Sequence, residues 1–246
     1  IIAIHNTHRG PALGGCRFIE YPSSEQAITD ALRLAQGMSY KAAMADLPLG
    51  GGKSVIIKPQ GAFSREDYMH SFGEFVESLH GEYITALDSG STLEDMDIIA
   101  EHTSFLASKT KDYGDPSPHT VDGVIEGIKA ACAYQLKRTD LEGLVMAIQG
   151  LGHVGHGVTL KLQEMGVKCI VADTNPHAIE SLSNVEVVST HNIHRQECDV
   201  FVPCALGGII NPQSIEELQC KIIAGAANNQ LLTTDLAYEL RRKNIL

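Results

Sequence analysis

The apolar run Leu144-Val145-Met146-Ala147-Ile148-Gln149 leads directly into Gly150-Leu151-Gly152-His153-Val154-Gly155, and this junction constrains the fold more than any other stretch of the chain. A Gly-x-Gly-x-x-Gly alone is a weak signal. Here a strand pattern precedes it, a helical pattern follows to about Met165, and a second strand pattern over 168–172 ends at Asp173, eighteen residues past Gly155 (173 − 155). That succession predicts a doubly wound, dinucleotide-binding sheet. Gly150 permits the tight turn, Gly152 lets a pyrophosphate reach the backbone at the helix N-terminus, and Gly155 allows close helix-to-strand packing. Asp173 would accept hydrogen bonds from a ribose 2′-hydroxyl and repel a 2′-phosphate, so NAD is expected rather than NADP. His153 and His156 are expected to rim the turn. Further strands are expected over 185–188, 200–203 and 222–225, with a helix over 234–243. A fold of this kind normally adds another strand, so the chain is expected to be truncated at its C-terminus.

The first half carries the chemistry-bearing residues. Ser23-Ser24-Glu25-Gln26 offers a helix cap ahead of Ala27, Ala31, Leu34, Ala35 and Met38 at helical spacing, which places Lys41 at the far end of the same stripe. A charge on the buried face of a helix needs a partner, and a bound anion would serve. Gly50-Gly51-Gly52 then strips side chains from the approach to Lys53. A partly desolvated lysine can lose its proton near neutral pH or polarise a carbonyl. The spacing is not that of a phosphate-cradling loop, whose first glycine would fall at Leu47. A short strand is expected over 54–58, a helix over 66–79, and a strand over 83–86 that delivers Asp88 at its C-terminal end, where α/β active sites lie. Thr92 or Ser91 caps a helix over 93–101. The polar, Gly- and Pro-bearing stretch 108–118 marks a linker, followed by a long helix over 120–136. The opening Ile1-Ile2-Ala3-Ile4 reads as a buried strand that begins without a methionine, as expected of a chain missing upstream residues. Two α/β domains are therefore predicted, 1–118 and 119–246, with a cleft between them.

Composition narrows the classes. A net charge of −11 with no run of Lys or Arg speaks against nucleic acid and anionic membrane as partners, and no stretch approaches eighteen consecutive apolar residues. The six cysteines form no Cys-x-x-Cys pair and mostly sit in apolar segments, as expected of core residues in a reducing, cytoplasmic compartment. His5 with His8, and His191 with His194, have no companion ligands in a helical pattern, so no metal site is expected.

Together the segments Gly10-Pro11-Ala12-Leu13-Gly14-Gly15, Met38 to Lys41, Gly50 to Lys53, Asp88, Pro116-Ser117-Pro118 with Thr120, Gly150 to Gly155, Pro203-Cys204-Ala205 and Ala226-Ala227-Asn228-Asn229-Gln230 closely resemble the amino-acid dehydrogenase superfamily, most of all its leucine, valine, phenylalanine and tryptophan branch. The resemblance implies a substrate-binding and catalytic domain followed by a Rossmann-type NAD-binding domain. It implies reversible oxidative deamination of an apolar L-amino acid to a 2-oxo acid and ammonia, in a homo-oligomer. Carried over by position, Lys53 and Asp88 are the catalytic pair. Lys41 holds the substrate carboxylate with the backbone of Gly14 and Gly15. Leu13, Met38 and Ala86 line the side-chain pocket, and Asn229 positions substrate. Thr120, Gly150, Gly152, His153, Val154, Gly155, Asp173, Cys204, Ala205 and Asn228 hold the cofactor. Family members commonly carry glutamate before the aspartate and Val-Gly-Thr after it, where this chain has Leu87 and Ser89-Gly90-Ser91. Ala86, often glycine in phenylalanine-type members, points to a branched aliphatic substrate. The alternatives are an aromatic amino-acid dehydrogenase and a catalytically silent NAD-binding protein.

Overall fold

The computed structural model describes residues 1–111 and 115–246, so part of the expected 108–118 linker lies outside the described residues. The chain divides into two compact units, Ile1–Pro116 and Ser117–Leu246. The division falls at 116/117, where sequence placed it at 118/119, because the long helix begins earlier than expected, at Ser117.

Unit 1 is built on four strands, β1 (Ile2–Asn6), β2 (Ala12–Ile19), β3 (Gly50–Ile57) and β4 (Tyr83–Leu87), in the order β1-β3-β2-β4. β2 lies parallel to both β3 and β4, and β1 is an antiparallel edge. That edge position corrects the expectation of a buried N-terminal strand: Ile1 and Ile4 are exposed and only Ala3 is buried. The expected 54–58 strand begins earlier, at Gly50, and β2 was not expected at all. Glycine-rich sequence has poor strand propensity, but here it is required by close approach. A Cβ on Gly14 would overlap the Gly52 carbonyl, and one on Gly51 would overlap the Ser39 amide of the covering helix.

That helix is α1 (Ser24–Met44), capped by Ser23, whose hydroxyl accepts from the Gln26 amide. Its small residues Ala27, Ala31 and Ala35 pack on Val55 and Ala3. The opposite face of the sheet, carrying Ala12, Cys16, Phe18 and Tyr83, packs on α2 (Arg65–Glu77) and α3 (Leu93–Ile99). Thr92 and Asp95 form a reciprocal capping box at the start of α3.

Unit 2 opens with α4 (Ser117–Gln135) and continues through β5 (Val145–Gln149), α5 (His153–Glu164), β6 (Lys168–Ala172), α6 (Pro176–Glu180), β7 (Val185–Val187), β8 (Val200–Pro203), α7 (Ser214–Glu217), β9 (Ile222–Ile223) and α8 (Leu236–Arg242). The order β7-β6-β5-β8-β9 is parallel throughout. This is the doubly wound arrangement, with its switch point between β5 and β8. Side chains alternate across it. Met146, Ile148, Val171 and Val202 pack on α4 and α5, while Ala147, Ile170 and Phe201 pack on Ile193, Ile215, Leu236 and Leu240. Each large side chain so buried contributes about 1.5–3 kcal/mol. Among the described residues no helix is long and apolar enough to cross a membrane.

Candidate functional site

In unit 1 the two-residue alternation of parallel strands sets Leu13, Gly15 and Arg17 of β2, Gly51, Lys53 and Val55 of β3, and Ala86 of β4 on the face that α1 covers. Lys53 is 3% exposed and its ammonium contacts the Asp88 carboxylate at Oδ2 directly. Gly15 makes room for this: a Cβ there would stand 2.7 Å from Asp88 Cβ and 2.9 Å from its Oδ2. The residues that follow Asp88 hold it. The Ser89 amide donates to Asp88 Oδ1 at 2.5 Å, and Ser91 Oγ accepts from the Asp88 amide at 3.0 Å and donates to its carbonyl at 2.8 Å. Ser89 to Ser91 thus build a tight turn around the carboxylate.

Burial pulls the Lys53 ammonium down from its ordinary value near 10.5 to about 7, with repulsion from Arg17 and then Lys41 acting in the same direction. Contact with Asp88 acts in the opposite sense, favouring the charged form, so the two groups form a coupled pair. Lys41 itself is solvent-exposed, which corrects the expectation of a buried-face charge. Protein packed around its amine still lowers its pKa by desolvation. Leu13, Met38 and Ala86 are each half-buried.

Arg17 and its support were not expected from sequence. Arg17 is 5% exposed, donates to Asp30 at 2.7 Å and lies 3.8 Å from Asp88 Oδ1 through its Nε, which has no hydrogen-bond partner among the described residues. Asp30 also accepts from Tyr21 at 2.6 Å. On the other face Tyr83 donates to the Gly14 carbonyl at 2.5 Å and contacts Ser54 Oγ at 2.9 Å, bracing the glycine strands. The available signal was Asp30, a carboxylate beside the apolar stripe of α1 that requires a cation nearby.

In unit 2 the glycine turn joins β5 to α5. Gly150 has φ +88°, a conformation costly for any other residue, and Gly155 has no room for a Cβ against the Gly150 carbonyl. Gly152 is the N-cap of α5, makes no side-chain cap, and has open space where its Cβ would stand. Val154 is half-buried and His153 exposed, while His156 reaches Ser181 at 2.9 Å. Asp173, directly after β6, accepts from the Leu151 amide at 2.5 Å and from the Asn175 amide at 2.7 Å. Across the switch point the Cys204 amide donates to the Gln149 carbonyl at 2.7 Å, and Ala205 lies against Gly150. Asn228 and Asn229 lie against Gly207 through their carbonyls. Asn229 has φ +50°, and its buried side-chain amide has no partner among the described residues. Thr120 and His119 are exposed on α4. The six cysteines are unpaired, and burial pushes Cys204, for one, up to about 11.

A doubly wound unit with an uncapped glycine turn, preceded by a unit that buries a lysine–carboxylate pair, is the architecture of a dinucleotide-dependent dehydrogenase class. The family model for the Glu/Leu/Phe/Val dehydrogenase dimerisation domain matches residues 1–105. Leucine dehydrogenase of Geobacillus stearothermophilus is 48% identical, covering 94% of this chain and 65% of its own length, and that of Thermoactinomyces intermedius is 46% identical, covering 100% and 69%. Among solved structures, L-tryptophan dehydrogenase of Nostoc punctiforme is 42% identical with a TM-score of 0.75, covering 100% of this chain and 71% of that one. A hetero-hexameric glutamate dehydrogenase of Thermus thermophilus, at 23% identity and a TM-score of 0.78, shares the fold. The chain belongs to the amino-acid dehydrogenase family. It spans about two thirds of the length of these curated relatives, 65% of the first and 69% of the second.

Proposed function

We propose that unit 1 is the substrate-binding domain and unit 2 the NAD-binding domain of a cytoplasmic, homo-oligomeric dehydrogenase. Its reaction is the reversible oxidative deamination of an apolar L-amino acid of the leucine, valine or isoleucine type. The observation that carries this reading is the buried Lys53 ammonium, lowered to about 7 and in contact with Asp88. A group that titrates near neutrality beside a carboxylate is suited to proton exchange with substrate and water.

The residues of unit 2 fit a dinucleotide. The α5 N-terminus without a side-chain cap, the space above Gly152 and the unpartnered Asn229 amide suit anionic and amide groups. Gly150, Gly152, Gly155, His153 and Val154 would hold the pyrophosphate. Asp173 would take the ribose hydroxyls on lone pairs not already used by Leu151 and Asn175, since a carboxylate has about four acceptor sites. Cys204, Ala205, Asn228 and Thr120 would flank the nicotinamide. When bound, NAD supplies a hydride acceptor for the substrate α-carbon.

The chain's own residues supply the rest. Lys41, with the Gly14 and Gly15 backbone, binds the substrate carboxylate, and Asn229 orients the substrate. Lys53, neutral above about pH 7, removes a proton from the water that adds at the α-carbon and, once charged, polarises the resulting carbonyl oxygen. Asp88 takes a proton from the substrate ammonium and later returns it to the departing amine, which leaves as ammonia. Arg17 stabilises the carboxylate form of Asp88 by its charge. Leu13, Met38 and Ala86 present the apolar surface that selects the side chain. Incubating the protein with NAD and L-leucine, L-valine, L-isoleucine, L-phenylalanine or L-tryptophan, and following the absorbance of the reduced cofactor, tests the proposal. Fastest reduction with a branched aliphatic substrate is expected, a preference for an aromatic one would reassign the pocket, and no reduction with any would overturn the reading.

A further inference from the structure

We propose that His70, Glu101 and His102 form a divalent-cation site in unit 1, of the class taken by Zn²⁺. His70 stands on α2, and Glu101 and His102 lie in the turn that ends α3. One ligand atom from each of the three lies within 4.8 Å of the others. The two imidazoles are perpendicular, at 83° with ring centroids 4.7 Å apart, and His70 Nδ1 faces His102 Nε2 at 2.6 Å. Two imidazole nitrogens this close share one proton in an N–H···N hydrogen bond, and a metal ion would take the place of that proton. Two Zn–N bonds of about 2.0–2.1 Å at a tetrahedral angle need nitrogens about 3.3 Å apart, a change that small side-chain rotations supply.

The surroundings match a ligand set rather than a chance pair. The other nitrogen of each ring faces a carboxylate: His70 Nε2 lies 3.7 Å from Glu66, and His102 Nδ1 lies 3.9 Å from Glu74. Carboxylates behind ligating histidines orient the ring and raise its basicity. Gly73, buried on α2, lets the turn approach, since a Cβ there would stand 3.0 Å from both His102 Cβ and the Ile99 carbonyl. The two histidines are about 30% exposed and Glu101 is exposed, so an ion can enter from solvent and complete its shell with water. Two imidazoles and a carboxylate suit Zn²⁺, Ni²⁺ or Co²⁺ over Mg²⁺ or Ca²⁺. Binding would clasp α2 to the end of α3 and stabilise unit 1 by mass action. No spacing motif marks the site, because His70 on α2 and His102 in the turn after α3 lie thirty-two positions apart (102 − 70), whereas such motifs register only near neighbours.

The test uses the EDTA-treated protein titrated with Co²⁺, followed by visible absorption, and then with Zn²⁺ by calorimetry. One equivalent per chain is expected, with Zn²⁺ displacing Co²⁺. His70→Ala and His102→Ala should each weaken binding by more than about tenfold, and Glu66→Gln or Glu74→Gln by up to about tenfold. His177→Ala, at an exposed His–Glu pair in unit 2, should leave it unchanged. Circular dichroism establishes that each variant is folded. No stoichiometric binding to the parent, or binding that survives the folded His70→Ala/His102→Ala double variant, would overturn the proposal.

Discussion

In unit 1 the glycines lie inside strands β2 and β3, whereas in unit 2 those of the 150–155 turn lie between a strand and a helix. The two placements solve different problems. Inside a sheet, glycine lets backbone pack on backbone, and the space it frees at Gly15 is filled by Asp88. At the α5 N-terminus, Gly152 leaves space empty and supplies no side-chain cap. The electrostatics divide in the same way. Unit 1 buries Lys53, Arg17 and Asp95, while the buried polar residues of unit 2, Thr159 and Ser214, are neutral. Buried charges cost stability unless paired, so their concentration in unit 1 marks chemistry, and the neutral interior of unit 2 marks a platform for binding.

Lys53→Ala and Asp88→Asn should each lower kcat by about 10²–10⁴-fold while nucleotide affinity, measured by calorimetry, stays near that of the parent. Gly14→Ala should destabilise unit 1 by about 3 kcal/mol in denaturant unfolding, because its Cβ would overlap the Gly52 carbonyl. Gly152→Ala meets no atom within 4 Å, so it should fold like the parent and lose nucleotide affinity alone. If both glycine variants misfold, the distinction between the two regions fails. Lys41→Ala should weaken substrate binding by about 1.5–3 kcal/mol, read as a rise in KM, since it removes one charge-assisted contact. Asp173→Ser should raise kcat/KM with NADP relative to NAD by the smallest factor of the set. It also removes the acceptor for the Leu151 amide, so part of the gain is offset by a looser turn.

Unit 2 was legible because local signals agree there: apolar strands, punctuating glycines and amphipathic helices fall at intervals that propensity and pattern both register. Unit 1 was legible at Ser23, Thr92 and Asp88, where caps and strand ends carry their own residue types. It was not legible at β2 or at the start of β3, because Gly14, Gly15 and Gly50–Gly52 oppose strand formation locally and are justified only by neighbours distant in sequence. Arg17 and Asp30 escaped notice for the same reason, since their pairing spans a strand and a helix. Lys41 is exposed because, in the last turn of α1, it is Ala42 that continues the buried face of Leu34 and Ala35.

The central claim is that unit 1 holds a lysine made to titrate near neutrality by burial and by its cationic neighbours. Direct titration of the lysine side-chain amines by ¹⁵N NMR, with Lys53→Met to assign the signal, measures this without relying on turnover. A lowered pKa means that the neutral amine gains population as pH rises through the transition. The account predicts a Lys53 transition near 7, well below that of the exposed lysines. A Lys53 that stays protonated to its ordinary value near 10.5 would contradict it.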